Sequence, residues 1–319
     1  MNAFVAPTDP EWYHFLRDVH ARAPLEEVNF WLPKPWGGRF RVLGDGQPLL
    51  FKLKRPFNAI AGGGFFKHYT ELPLSIAWDS FGESNGAATH SDVWRLITHL
   101  RREHPQPWDD PVIGCVLLVE PFFWPEELWI HDPPGWHRNI QRGRTYDLRE
   151  GEGRWLWEAV RERLHHALPA PPVHTREGAE HATIPAAGYG DPILQPRRLG
   201  QGTFSAIVRD VYHRQCAVTS EKALPALDAA HIVSYAERPV HEVRNGILLR
   251  SDVHRLFDKG YLTITPEHRV EASRRMKDDF DDGESYLRLH GRRVRVPDDP
   301  LLRPDPEALR WHNEKRFRG

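Results

Sequence analysis

Four residues in the C-terminal third of the sequence have the types and spacing of a hydrolytic centre. They are His231, Asn245 fourteen residues on, His254 nine beyond that, and Asp258 four further. A neutral imidazole near its ordinary pKa is a suitable base for drawing a proton from water at neutral pH. Residues four apart on a helix share a face, so His254 and Asp258 can both point at one cation. A divalent ion there polarises a phosphate and stabilises the departing oxygen. Asn245 has donor and acceptor capacity, so it can pin loop backbone and aim the histidine. Taken singly, each has an ordinary explanation. In a chain with 19 His a lone histidine is more often structural, Asn245-Gly246 reads as a turn, and Asp258 before Lys259-Gly260 could close a helix-to-strand turn. Together they point to metal-assisted hydrolysis at phosphorus.

The elements that must position these groups are legible from periodicity. Thr203 is read as the N-cap of a helix whose Phe204, Ile207, Val208 and Val211 fall on one face, ending near His213. Short strands are expected over 215–219, 227–234 and 245–249. Ser251 is expected to cap a short helix carrying His254, Leu256, Phe257 and Asp258, and a hairpin should pair 261–265 with 269–272. Upstream, residues 168–196 are rich in Pro, Ala and Gly and read as a linker between domains at 1–167 and 197–319. The first domain offers strands at 28–32, 39–43, 49–53 and 112–119 and a Gly-rich run at 61–64. It also offers a helix capped by Ser91, with Val93, Leu96, Ile97 and Leu100 on one face, and another over 155–168. Many turns and few helices suggest a small mixed β-barrel, so the fold class expected is α+β.

Composition narrows the classes. No run of eighteen apolar residues exists and no basic, apolar leader opens the chain, so a cytoplasmic protein without a membrane span is the plain reading. Two cysteines, Cys115 and Cys216, exclude a disulfide framework and a structural zinc held by four cysteines. Net charge is −1, unevenly spread: from Arg197 onward 23 Lys+Arg face 19 Asp+Glu, leaving the C-terminal part mildly basic and the remainder mildly acidic. Phosphate contact depends on local clusters, so this favours a nucleic-acid partner for the basic part.

The strings Ala229-Ala230-His231-Ile232, Asn245-Gly246-Ile247-Leu248-Leu249 and His254-Arg255-Leu256-Phe257-Asp258 resemble the HNH (ββα-metal) endonucleases of bacteria. The resemblance implies His231 as general base, Asn245 as the orienting residue and His254 as a metal ligand, with Asp258 as a second. It also implies Mg²⁺ or Mn²⁺, with Ni²⁺ or Co²⁺ as further options, and DNA cleavage leaving a 5′-phosphate and a 3′-hydroxyl. Many members carry a ligand immediately before the base; here that position is Ala230, which leaves either Asp228 to substitute or Asp258 to complete the site. Many also fold around zinc held by Cys-x-x-Cys pairs. The corresponding Cys216-Ala217-Val218-Thr219 has one cysteine, so this module must rely on apolar packing.

The first domain is dense in aromatics, among them Trp31, Trp36, Phe65, Phe66, Tyr69, Trp78 and Phe81. Core packing accounts for most of them. Trp36, between Pro35 and Gly37-Gly38, and Trp78, close to Asp79 and the Asn85-Gly86 turn, are the candidates for a pocket that stacks an unpaired base. The layout of Asn29 to Pro33, Phe51 to Lys54, the 62–64 glycines, Trp78, Asn85-Gly86 and Gly143 to Tyr146 resembles the PUA-like reader domains (EVE, SRA and ASCH relatives) of modification-dependent HNH endonucleases. That resemblance implies a type IV restriction endonuclease binding double-stranded DNA that carries 5-methylcytosine or 5-hydroxymethylcytosine. Trp36, Trp78, Asn85 and Phe65 would form the base pocket, and Lys52, Lys54 and Arg55 would be phosphate contacts. One active site per chain suggests a homodimer for cutting both strands. The competing readings are a reader of unmodified DNA or RNA, and, given Ala230, a DNA-binding protein with an inactive nuclease module.

Overall fold

The computed structural model describes residues 1–37, 40–102, 106, 108–137, 139–167, 199–238 and 241–319; the linker expected over 168–196 lies outside them. The chain forms two compact units. The first comprises Met1–Tyr69, Glu83–Pro105 and Gly114–Arg197, and the second Thr70–Gly82, Gln106–Ile113 and Arg198–Gly319.

Strands β1 (Asn2–Thr8), β2 (Glu27–Leu32), β3 (Pro48–Leu53), β4 (Ala59–Pro73), β5 (Val112–Phe123), β6 (Ile130–His131) and β7 (Arg144–Asp147) make one sheet in the order β2-β5-β4-β3-β1-β7, with β6 added to β4. β1 and β3 run parallel, Phe4 opposite Leu49, and parallel neighbours need a long crossover. Helix α1 (Pro10–Arg22) provides much of it. Asp9 caps α1 and Pro10 opens it, and its Trp12, Tyr13, Leu16 and Val19 face the core. Close strand approach depends on the glycine run: a Cβ on Gly62 would stand 2.2 Å from the Phe122 carbonyl oxygen.

The mixed α+β class stands, but the barrel does not close. Among the described residues β2 and β7 end the sheet and are not paired with each other. The strand expected at 39–43 is absent from its described part. Phe40 and Leu43 instead enter the core from irregular chain, 8% and 6% exposed, after the turn at Gly37 (φ +76°). Helices α3 (His90–Arg101) and α4 (Gly151–Ala167) lie where two helices were expected, α1 and α2 (Leu74–Phe81) being additional. The cap of α3 is Thr89, accepting from the Asp92 amide, rather than Ser91.

In the second unit α5 (Gln201–Val211) is followed by β8 (Leu227–His231), β9 (Gly246–Arg250), α6 (Ser251–Asp258), β10 (Leu262–Ile264), β11 (Val270–Ala272), α7 (Arg275–Phe280), α8 (Glu284–Leu287) and α9 (Pro306–Lys315). β8 and β9 pair antiparallel with His231 opposite Gly246, and β10 pairs β11. Three local expectations are corrected. Thr203 is buried inside α5, which Gly200 caps one turn earlier. Ser251 is the first residue of α6 rather than its cap. The stretch 215–219 is a turn, not a strand, because the Cys216 Sγ accepts the amides of Thr219 (3.3 Å) and Arg250 (3.2 Å). That buried thiol ties the turn to β9. Both cysteines are free and buried, and among the described residues no helix is long and apolar enough to cross a membrane.

Candidate functional site

His231 ends β8, and its ring is fixed from two sides. Phe204 of α5 stacks on it, centroids 4.2 Å apart and planes 12° from parallel. Its Nε2 lies 3.0 Å from Nδ1 of His241, which in turn stacks on Tyr235 at 4.5 Å. Burial, then the neighbouring His241 and His254, push the His231 pKa down to about 4, well below the ordinary value expected from the sequence, so the imidazole is neutral at neutral pH but a weaker base. His241 and Phe204 were not singled out in the sequence. His241 has no periodic signal, being separated from the motif by an irregular segment, and Phe204 reads as an ordinary core position.

Asn245 is fully buried, and both ends of its amide are used. Its Oδ1 accepts the Val233 amide (2.9 Å), its Nδ2 donates to the Val233 carbonyl (2.9 Å), and its own carbonyl accepts the Ile232 amide (2.8 Å). One side chain therefore fixes the backbone just beyond the base. Gly246 is not a turn glycine. Its φ of −116° is extended, and what it provides is space, since a Cβ there would stand 2.6 Å from Val208 Cγ2 and 2.9 Å from the Phe204 ring. Removing that side chain lets α5 bring Phe204 onto His231.

His254 projects from the middle of α6 between two carboxylates. Its Nδ1 is 3.2 Å from Asp228 Oδ2 and its Nε2 is 3.4 Å from Asp258 Oδ2. The start of α6 is braced by Arg250, whose guanidinium holds the Asp252 carboxylate (2.6 and 2.7 Å), with the Tyr286 hydroxyl donating to the same group. These contacts hold Asp252 down to about 2. The other end is anchored by His312 of α9, which stacks on Phe257 at 3.7 Å and bonds to the Phe257 carbonyl (3.1 Å) and Thr263 hydroxyl (2.8 Å). Ala230, whose methyl group has no donor atom for a metal, is fully buried in the core.

Among the described residues no three His, Cys, Asp or Glu side chains converge on one point. Asp228 and Asp258 flank opposite ring nitrogens of His254, and one ion cannot bind both nitrogens. Each side separately fits a divalent cation: an imidazole nitrogen and a carboxylate oxygen 3.2–3.4 Å apart are spaced as two donors of one ion with bonds of about 2.1 Å. The carboxylate on the other side would then orient the ring, as second-layer partners of metal-bound histidines do.

The first unit holds a cavity of about 570 Å³ lined by Phe4, Phe30, Trp36 and Phe40, with Lys34 and Arg142 among its polar lining. Trp36 is 40% exposed and stacks on Phe40 at 5.2 Å, while its amide is held by the Tyr69 hydroxyl. Of the four pocket residues named from sequence, only Trp36 lines this cavity. Phe65 is buried against Phe122. Asn85 is fully buried, its carbonyl accepting the indoles of Trp12 (3.0 Å) and Trp31 (2.9 Å) and its Oδ1 the Asn29 amide. Trp78 stands on α2 in the second unit. Lys52 is not a surface phosphate contact: it is 4% exposed, donates to Asn58 and lies 4.8 Å from the Trp136 ring centre. Burial lowers its pKa. Lys54 and Arg55 are exposed, Lys54 lying 3.7 Å from Asp9.

Residues 216–265, which contain the whole constellation, match the family model of the HNH endonucleases and constitute an HNH endonuclease domain. No curated protein matches the chain significantly. Among solved structures, the ASCH protein of Zymomonas mobilis is similar at 11% identity, covering 49% of this chain and 94% of its own, with a TM-score of 0.31. Two single-residue variants of that protein give TM-scores of 0.29 at 11% and 12% identity, again covering 49% of this chain and 96% and 94% of theirs.

Proposed function

We propose that the chain is a metal-dependent DNA endonuclease of the type IV restriction class, in which the first unit reads a modified cytosine and the HNH domain cuts. The observation that carries the nuclease reading is a neutral His231 held by Phe204 and His241 beside a loop that Asn245 pins. With His231 donating from Nε2 to His241, its Nδ1 keeps a lone pair for a proton from water. The hydroxide attacks phosphorus, the bond to the 3′ oxygen breaks, and that oxygen takes up a proton from solvent water, leaving a 5′-phosphate and a 3′-hydroxyl. His254 with Asp228 or Asp258 would hold the divalent ion, Mg²⁺ or Mn²⁺, which polarises the phosphate and stabilises the leaving oxygen. The proposed domain boundaries remain 1–167 and 197–319, and a homodimer would supply one site per strand.

The reader half rests on the cavity of the first unit. Trp36, 40% exposed at this cavity, offers a ring face on which a flat base could stack, and Lys34 and Arg142 suit its phosphate. Its volume of about 570 Å³ has room for a 5-methyl or 5-hydroxymethyl substituent. The test is digestion of matched plasmids, unmodified, methylated and hydroxymethylated, with Mg²⁺ or Mn²⁺. Cleavage confined to the modified plasmids is expected. Equal cleavage of all three would remove modification dependence, and none of any would leave a binding protein with an inert module.

A further inference from the structure

Beyond the motif, the second unit carries an arginine face that no described carboxylate neutralises. The segment after α8 returns along β11 as an added edge: Gly291 donates to the Val270 carbonyl (2.8 Å), Val270 to Arg292 (2.9 Å) and Val294 to His268 (2.8 Å). Val270 and Val294 are buried at 1% and 4% exposure, so their neighbours point outward. Those neighbours are Arg269, directly opposite Arg293 across the antiparallel bridge, and Arg295, two residues along. All three are exposed, and among the described residues none has a carboxylate within 4 Å. Arg275, Arg288 and Arg316 of the same unit, by contrast, are paired with Asp279, Glu284 and Glu237. Like charges directly opposed across strands repel, which an anion joining the pair would relieve, while the Arg269 guanidinium donates to the Gly291 carbonyl (3.0 Å). His268, next to Arg269, is faced by Arg303 and Arg293 and by Glu267, and Glu271 lies two residues from Arg269 on β11.

The edge is also wired to the catalytic hairpin. Arg295 donates to the Ala217 carbonyl (2.9 Å), Ala217 donates to Leu248 (2.8 Å), and Leu248 pairs with Ala229 of β8. The backbone of Arg295 is therefore linked through the 215–219 turn and β9 to the strand that ends in His231.

We propose that Arg269, Arg293 and Arg295 form a backbone track that holds the phosphates of double-stranded DNA beside the cutting site. The track rests on the nuclease reading and extends it beyond residues 216–265. It contributes affinity without sequence preference, leaving discrimination to the first unit.

The test is binding of a labelled 20-base-pair unmodified duplex by the full chain in EDTA, over a salt series. Wild type is compared with Arg293→Gln and with the triple Arg269→Gln, Arg293→Gln, Arg295→Gln. A log–log salt slope lower by about 1 for the single and about 2.7 for the triple variant is expected, with affinity at least about tenfold weaker for the triple. Relief of the opposed pair should leave the thermal midpoint of Arg293→Gln unchanged or higher, so weakened binding will not reflect misfolding. Unchanged slopes and affinities in an enzyme that cuts would overturn the track alone. Preference of the wild type for single-stranded RNA or a polyglutamate peptide would also overturn it. A wild type that binds duplex through these arginines yet cuts nothing with Mg²⁺ or Mn²⁺ would overturn the nuclease reading and support the track.

Discussion

Replacing Asn245 by Ala should loosen the loop beyond the base more than any other single truncation in the HNH domain. The native side chain satisfies the amide and the carbonyl of Val233, each at 2.9 Å and both buried. Alanine leaves both without partners. An unsatisfied buried backbone group costs about 1–3 kcal/mol, so two together cost about 2–6 kcal/mol. The chain has two units, so a global unfolding curve would blend them. Hydrogen exchange read on peptides spanning 227–250 isolates the effect. At 1.4 kcal/mol per factor of ten, the lower bound corresponds to at least about thirty-fold loss of protection. Plasmid cleavage should fall about a hundredfold, because a base displaced by about 1 Å loses its near-attack geometry. Asn245→Asp should not rescue, since its carboxylate would face the Val233 carbonyl. Protection and cleavage both within about twofold of wild type would refute the reasoning.

Gly246→Ala should also impair the domain, by a different route. Its Cβ would meet Val208 and Phe204 at 2.6 and 2.9 Å, and overpacking of this kind costs about 1–3 kcal/mol. The expected signature is reduced protection of α5, and full protection would show that the helix yields freely. His312 should make the second unit acid-labile. Burial pushes its pKa down to about 4 from an unfolded value near 6.5. The neutral ring's contribution, about 3 kcal/mol, is therefore complete above pH 6.5 and is lost as pH falls toward 4. Exchange protection of peptides spanning 251–264 at pH 7.5 and 5.0, corrected for intrinsic rates, should diverge in wild type and less so in His312→Gln. Identical pH dependence in the two proteins would exclude the assignment.

The candidate constellation was legible because its parts are local. β8, β9, α6 and the β10–β11 hairpin lie close to where periodicity and spacing put them, and His254 does meet both Asp228 and Asp258. What escaped the sequence depends on tertiary placement. His241 reaches His231 through a fold-back without periodicity, and Phe204 becomes a stacking partner because Gly246 admits it. Cap positions slipped for a related reason: Thr203 has the right chemistry for a cap but is needed in the core, and Gly200 takes its place. In the first unit, Asn85 and Lys52 are polar residues in turn-rich or strand-edge contexts, which suggests exposure. Two indoles and an amide bury the first, and Asn58 and Trp136 enclose the second. Burial of a polar group is decided by partners tens of residues away, which no local pattern encodes.

The most direct test of the nuclease assignment is cleavage of supercoiled, cytosine-methylated plasmid in Mn²⁺ by wild type, His231→Ala and His254→Ala, each with folding verified. The account expects nicked and linear products from wild type, abolished by EDTA. It expects at least about a hundredfold slower cutting by both variants, with duplex binding retained by His231→Ala. Wild-type rates in His231→Ala would contradict it, because the neutral imidazole between Phe204 and His241 would then have no part in activating water.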